Sequence, residues 1–236
     1  LFVFGLGLII LIIIQLYLPS MKLHLQQEAL GQHWYVALQQ LMSNKNQRKA
    51  LTLMVVMMLG HFSIIPFIAP YMEHNVGLSK EEVGYIYLVG GMAALVSAPL
   101  VGKLADQYGK QKIYSLFVVM CTVPLLLITH MPPWPLGVVL LVAFIFFSFT
   151  TGRFIPAQAI VSQVVVPAQR GSFMSINSAL QQLAAGFAAL LAGTIVVEDP
   201  VTHSLSRYNW VGIIALCFTL LSLVLVRRVK PLAQAE

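Results

Sequence analysis

The sequence predicts an all-α membrane protein with seven transmembrane helices, and three observations predict it. Of the 236 residues, 58% are apolar and only 9% are charged. An ordinary soluble domain carries about 25% charged residues, so a soluble fold of this chain could not cover its surface. The mean hydropathy of +0.84 also excludes disorder, which requires low hydrophobicity and high charge. The apolar residues gather into seven runs of about 20, the length that crosses about 30 Å of hydrocarbon at 1.5 Å per residue. Lipid offers bare backbone no hydrogen-bond partner, so such runs must be helical.

The runs occupy 1–18, 50–72, 83–102, 113–131, 136–160, 172–197 and 209–227. The first lacks a basic start and a following small-residue cleavage site, which argues against a signal peptide. Because the chain opens without Met inside apolar sequence, a fragment that starts within a membrane helix is expected. The connection 19–49 carries Leu23, Leu30, Trp34, Leu38 and Leu41 at steps of 7, 4, 4 and 3. That stripe fits either a helix lying in the membrane interface or an ordinary connecting helix packed on protein.

Charge sets the expected orientation. Eleven of the fourteen Lys and Arg fall on one side: in 19–49, in the 103–112 turn, before the sixth run and in the tail. Lys80 and Arg207 fall on the other side, and Arg153 lies within a run. Short loops rich in Lys and Arg stay in the cytoplasm, so the chain is expected to start outside and end inside. Trp134 and Trp210 then sit at outer span ends, where an aromatic belt places them. The net charge of +6 is thus a topology signal; it is scattered over turns and forms no patch for nucleic acid. Cys121 and Cys217 lie in apolar runs, and no C-x-x-C, H-E-x-x-H or phosphate-loop pattern occurs. No cofactor, metal or nucleophilic triad is expected.

Polar groups at membrane depth are expensive and therefore informative. Arg153 lies deep in the fifth run, in Thr150-Thr151-Gly152-Arg153-Phe154-Ile155-Pro156. A central Arg costs about 2.5–3.5 kcal/mol to insert, so it faces a cavity or a partner unless it snorkels to the headgroups. Its functional readings are a contact for an anionic substrate or a group that biases proton exchange. His61, in the second run after Met54, Met57 and Met58, either relays a proton or touches substrate, or simply bonds a neighbouring helix. In the sixth run, Ser178, Gln182, Gly186, Ala189 and Gly193 recur at steps of 4, 4, 3 and 4, a small-residue face suited to close helix packing. Asn177, Gln181 and Gln182 need partners, because amides facing lipid stay unpaired; they bond another helix or line a wet cavity. Pro66, Pro70 and Pro156 remove helical hydrogen bonds, and Gly90 and Gly91 thin the third run.

The turn after the third run reads Gly102-Lys103-Leu104-Ala105-Asp106-Gln107-Tyr108-Gly109-Lys110-Gln111-Lys112. Asp106 is an acid close to a helix end and is able to cap a facing helix N-terminus. Gly102 permits close helix contact and Gly109 a tight turn at positive φ. The turn resembles the cytoplasmic signature of the major facilitator superfamily of secondary transporters, G-x-x-x-D-[RK]-x-G-[RK]-[RK], which it matches at Gly102, Asp106, Gly109 and Lys110 and departs from at Gln107 and Gln111. The stretch from Gly152 through Pro167-Ala168-Gln169-Arg170-Gly171 is similar to the step between membrane helices in that family's sugar and drug efflux branches. Resemblance implies that Arg153 helps in proton coupling. It also implies the architecture: 1–18 as the last helix of an N-terminal bundle, 19–49 as the cytoplasmic connection between bundles, 50–230 as a C-terminal six-helix bundle and 231–236 as a tail. The partners implied are the lipid bilayer, a small-molecule substrate, protons and the remaining N-terminal bundle, with no nucleic acid.

The expected function is therefore secondary active transport of small organic solutes, as proton-coupled efflux by alternating access across the plasma membrane. Arg153, His61, Gln181, Gln182 and Asn177 are the candidates for substrate and proton coupling. Gly102, Asp106, Gly109 and Lys110 are the candidates for the gate. A seven-helix receptor or sensor shares the topology, but the last run has no Lys for retinal and no Asn-Pro-x-x-Tyr end. A membrane-embedded enzyme would need paired catalytic groups inside the runs, and Arg153 and His61 are the only strong ionisable candidates there.

Overall fold

Residues 2–17 and 43–232 are described by the computed structural model. The chain divides into two compact units, Leu1–Gln39 and Gln40–Glu236. The first unit contributes α1, Phe2–Tyr17, an apolar helix of 16 residues. The stripe from Leu23 to Leu41 lies outside the described residues.

The second unit contains six helices long and apolar enough to cross a membrane. The first of these spans is broken in two. α2 (Lys45–Phe62) opens on an Asn44 cap, whose side chain accepts from the amides of Asn46 and Gln47. α3 (Ile65–His74) follows after Ser63 and Ile64, with Pro66 in its first turn. The sequence expected this span at 50–72; it runs from Lys45 to His74, and the Asn44 cap adds the polar first turn at its start.

α4 (Lys80–Tyr108) starts at a capping box, in which Ser79 and Glu82 each accept the other's backbone N–H. It runs for 29 residues to Gly109. The expected turn at 103–112 is therefore a correction: its first six residues are helical and the turn itself is Gly109 alone, at φ 95°. That backbone region is closed to side-chain-bearing residues. α5 (Lys110–Thr129) contains Pro124, and α6 (Leu136–Ser162) contains Pro156. A single 3-10 turn, Pro167–Gln169, leads into α7 (Arg170–Ile195). α8 (Tyr208–Val226) closes the bundle.

Between α7 and α8 lies a feature the sequence did not announce, a two-residue hairpin. Val197 pairs with Ser206 and Glu198 with Leu205. Asp199 accepts from the amides of Val201 and Thr202, both at 2.9 Å, and these bonds hold its carboxyl below the ordinary range. Asn75, just past α3, exchanges two bonds with the backbone of Leu205, at 3.0 and 2.8 Å.

Helix neighbours follow a simple order. α6 packs along α4 and along α5, α5 along α8, α8 along α2, and α2 along α7. Glycines set the closest approaches, since a Cβ at Gly90 would overlap the ring of Phe147, one at Gly152 the ring of Phe117, and one at Gly212 the side chain of Thr129. The small-residue face expected on α7 is a second correction. Ser178, Gln182, Gly186 and Gly193 are exposed, and the packed row is Phe173, Asn177, Gln181, Ala184, Ala188 and Ala192. Both rows have helical spacing. The packed row holds two amides that need partners, Asn177 and Gln181, and its small alanines are buried.

Two apolar clusters fill the second unit. One gathers Met54, Met57, Tyr114, Val118, Ala157 and Phe173. The other gathers Ile64, Ile68, Leu125, Phe146, Val211 and Ala215. Along every one of α2, α5, α6 and α8 a polar residue falls between them: His61, Cys121, Arg153 and Thr219.

Candidate functional site

Arg153 is 1% exposed. It lies about 13 Å along the helix axis from Ser162, the end of α6. The side chain turns inward: its Nη1 donates to the Thr219 hydroxyl on α8 at 3.0 Å. This geometry is not that of a snorkelling side chain. The acceptor is itself held in a polar line, because Ser222 donates to the Thr219 carbonyl at 2.6 Å and Tyr114 donates to the Ser222 hydroxyl at 2.7 Å. One turn before Arg153, the Thr150 hydroxyl lies 3.7 Å from the Cys121 sulfur.

The same arginine lines a cavity of about 380 Å³ between α2, α6 and α7. Four of the five expected coupling residues do not merely share a bundle; His61, Arg153, Gln181 and Gln182 share this cavity. Thr150 and Thr151 add hydroxyls, while Met57, Met58, Phe62, Phe147 and Phe154 supply the apolar wall. Of the three methionines before His61, Met54 is core and only Met57 and Met58 reach the cavity. His61 stacks edge-on against Phe62, with ring centroids 5.2 Å apart, and its Nδ1 is buried without a hydrogen-bond partner.

Asn177, the fifth expected residue, is fully buried one turn from Gln181. It bridges the gap between α6 and α7 through Gln158, a residue sequence reasoning passed over. The Asn177 amide donates to Gln158 Oε1 and the Gln158 amide donates to Gln181 Oε1, both at 3.4 Å. These are long bonds, and Asn177 Oδ1 has no partner at all. Thr219 was also missed. Its signal was available, as one of two hydroxyls, with Ser222, within an apolar run, but nothing in the sequence tied it to Arg153.

The expected gate residues sit at the end of the bundle where α4 meets α5. A cavity of about 450 Å³ there is lined by Asp106, Gly109, Lys110, Gln111, Gln163 and Pro231, among others. Asp106 is exposed, with no hydrogen bond or ion pair among the described residues. A Cβ at Gly102 would meet nothing within 4 Å, so no helix of the described bundle makes the close approach that Gly102 allows. Gln111 ties α5 to the end of α8, since its amide donates to the carbonyls of Val226 and Val229, at 3.3 and 2.7 Å. It thereby satisfies backbone acceptors that a helix C-terminus leaves open. Asn46 and Lys230 exchange two further bonds, and the Leu232 amide donates to the Gln163 carbonyl at 3.1 Å.

Six apolar spans, three of which enclose a cavity with a buried arginine in its wall, define an integral, multi-pass membrane bundle. The sequence pattern of the Major Facilitator Superfamily matches residues 50–236, and the chain belongs to that family. Multidrug resistance protein MdtG of Escherichia fergusonii is 37% identical over 105 residues, covering 41% of this chain and 25% of that protein. Solute carrier family 22 member 18 of Mus musculus is 29% identical over 129 residues, covering 54% and 32%. The MdtG of Proteus mirabilis is 27% identical over 153 residues, covering 60% and 36%. The match thus spans about a third or less of each relative's length. Family membership lends no support to the receptor alternative.

Proposed function

We propose that this chain is the substrate-binding second half of a secondary active transporter that exports small organic solutes in exchange for protons. The observation that carries the reading is the buried Arg153 in a cavity of mixed polar and aromatic lining, between helices of a major facilitator chain. Transporters of this architecture hold substrate near the membrane midplane and rock two bundles around it. The names of the MdtG relatives support a drug-sized organic cargo. His61 is the one cavity residue of a type that ordinarily exchanges a proton near neutral pH, and it faces the same space as Arg153. In this reading Asp106, Gly102, Gly109 and Lys110 form the gate, pairing with a helix of the other bundle when that side closes. The basic end of the bundle faces the cytoplasm and the hairpin faces outside, in the plasma membrane; a cysteine placed at Ser204 should then react with a membrane-impermeant thiol reagent added externally.

The test uses the protein expressed from its complete gene, in inverted vesicles with and without an imposed pH gradient. Gradient-driven uptake of a fluorescent dye substrate is expected. Asp106→Asn should slow uptake about tenfold at unchanged expression, and His61→Gln should remove the dependence on the gradient. Unchanged rates in Asp106→Asn would remove the gate, and undiminished gradient dependence in His61→Gln would remove that proton site.

A further inference from the structure

The charge balance of the cavity names the class of its occupant. A guanidinium has five N–H donors, and Arg153 spends one, on Thr219. A buried cation is costly unless it is paired and hydrogen-bonded. Yet among the described residues no carboxylate lines the cavity. Among the described residues the acids are Glu73, Glu81, Glu82, Asp106, Glu198 and Asp199, all in first or last helical turns or in the hairpin. The ion pairs those acids make are Lys80 with Glu73 and His203 with Glu198, both away from the site. The described cavity wall therefore carries a net positive charge, on a side chain that is itself buried.

The rest of the lining is shaped for an amphiphile. Thr150, Thr151, Gln181 and Gln182 bring hydroxyl and amide groups to the cavity that Arg153 lines, and Phe147 and Phe154 offer an apolar face. A volume of about 380 Å³ suits one small organic molecule. His61 lines the same space, and its Nδ1 is buried without a hydrogen-bond partner. A cationic drug would place a like charge beside the buried Arg153 with no acid among the described lining residues to offset it, and that repulsion disfavours it. A neutral solute would leave the guanidinium unpaired.

We infer that the occupant is an amphiphilic organic monoanion, with a carboxylate-like head on Arg153 and an aromatic or hydrocarbon body against Phe147, Phe154, Met57 and Met58. This rests on the transporter reading above, and it narrows the cargo to the opposite charge from that of a cationic drug. A planar carboxylate accepts two parallel N–H bonds from one guanidinium, a geometry that Lys does not reproduce.

The test is ligand stabilisation of the purified complete protein in a non-ionic detergent at neutral pH. The probes are naphthylacetate, its amide naphthylacetamide, the cation naphthylethylamine, and chloride alone. Naphthylacetate is expected to raise the thermal unfolding midpoint by several degrees, and the other three to leave it within error. A charge-assisted bond corresponds to about a tenfold or greater change in affinity, so Arg153→Gln should weaken naphthylacetate binding at least about tenfold, with Arg153→Lys intermediate. Equal stabilisation by all three naphthyl probes, preference for the amine, or no shift with naphthylacetate overturns the inference. Stabilisation by chloride equal to that by naphthylacetate assigns the arginine to inorganic anions and overturns it too. The wild-type comparison requires no variant, so a folding defect in Arg153→Gln does not blunt the test. Binding is separable from movement. If the amine moves across vesicles and the carboxylate does not bind, the site assignment fails and the transporter stands; if the carboxylate binds without gradient-driven movement of any probe, the transporter fails and the site stands.

Discussion

Arg153 shows how far a single residue is readable from sequence. A charged residue inside an apolar run is improbable enough that the run alone marks it as important. Its direction is not marked, because a helix of low amphipathicity gives no face to choose. The partner, Thr219, is 66 residues away, and no local spacing rule links them. Glycines were similarly half-legible. Gly90 was expected to thin its helix and does accommodate Phe147, while its neighbour Gly91 faces open space. Gly152 was noted only as part of a run, yet the ring of Phe117 occupies the position of its missing side chain, and that ring packs edge-on against Phe149 at 5.9 Å. Gly152→Ala should therefore destabilise the bundle by about 1–3 kcal/mol, the ordinary cost of overpacking, whereas Gly91→Ala should be neutral or stabilising. Thermal unfolding of the two variants side by side checks this, and equal midpoints would contradict the packing described.

At the scale of elements, hydropathy placed every described span and misplaced most of its ends. The ends that moved are those where polar residues continue a helix past the apolar run: Lys45 to Lys49 at the start of α2, and Lys103 to Tyr108 at the end of α4. Hydropathy is blind there, and capping is what decides: Asn44 for the first and Gly109 for the second. The face of α7 was misread for another reason, since two adjacent rows both repeat at helical spacing and only the amides of Asn177 and Gln181 distinguish them. The segment after α8 forms a strap invisible in sequence, fixed by Gln111, Asn46 and the Gln163 carbonyl. Replacing both Asn46 and Gln111 by Ala removes three of its bonds and one to the end of α8. At about 1 kcal/mol for a typical net bond, the segment from Arg227 to Leu232 should then open locally without loss of the bundle. Hydrogen exchange should show a faster Lys230 amide and unchanged protection in α8; unchanged Lys230 exchange would mean that the strap is held by something else.

For the whole molecule, the family resemblance carried by the 102–111 turn and the 152–171 stretch agrees with the family match. What the sequence could not supply was the meeting of α2, α6 and α7 around one cavity, because that depends on which helices stand apart. The two apolar clusters and the polar level between them have a mechanical consequence. At that level α2 gives way to α3 across Ser63 and Ile64, Pro124 removes the bond that the Met120 carbonyl would have accepted in α5, and Pro156 does the same to Gly152 in α6. Stiffness along the membrane normal is thus uneven, with two rigid blocks joined by a compliant waist. Amides of 62–65 and 152–155 should exchange faster than those of 54–58 and 158–161, and uniform protection along α6 would exclude the waist. A bundle built this way bends most easily where Arg153 meets Thr219, so strain applied at either end concentrates on the bond that an arriving anion would compete for.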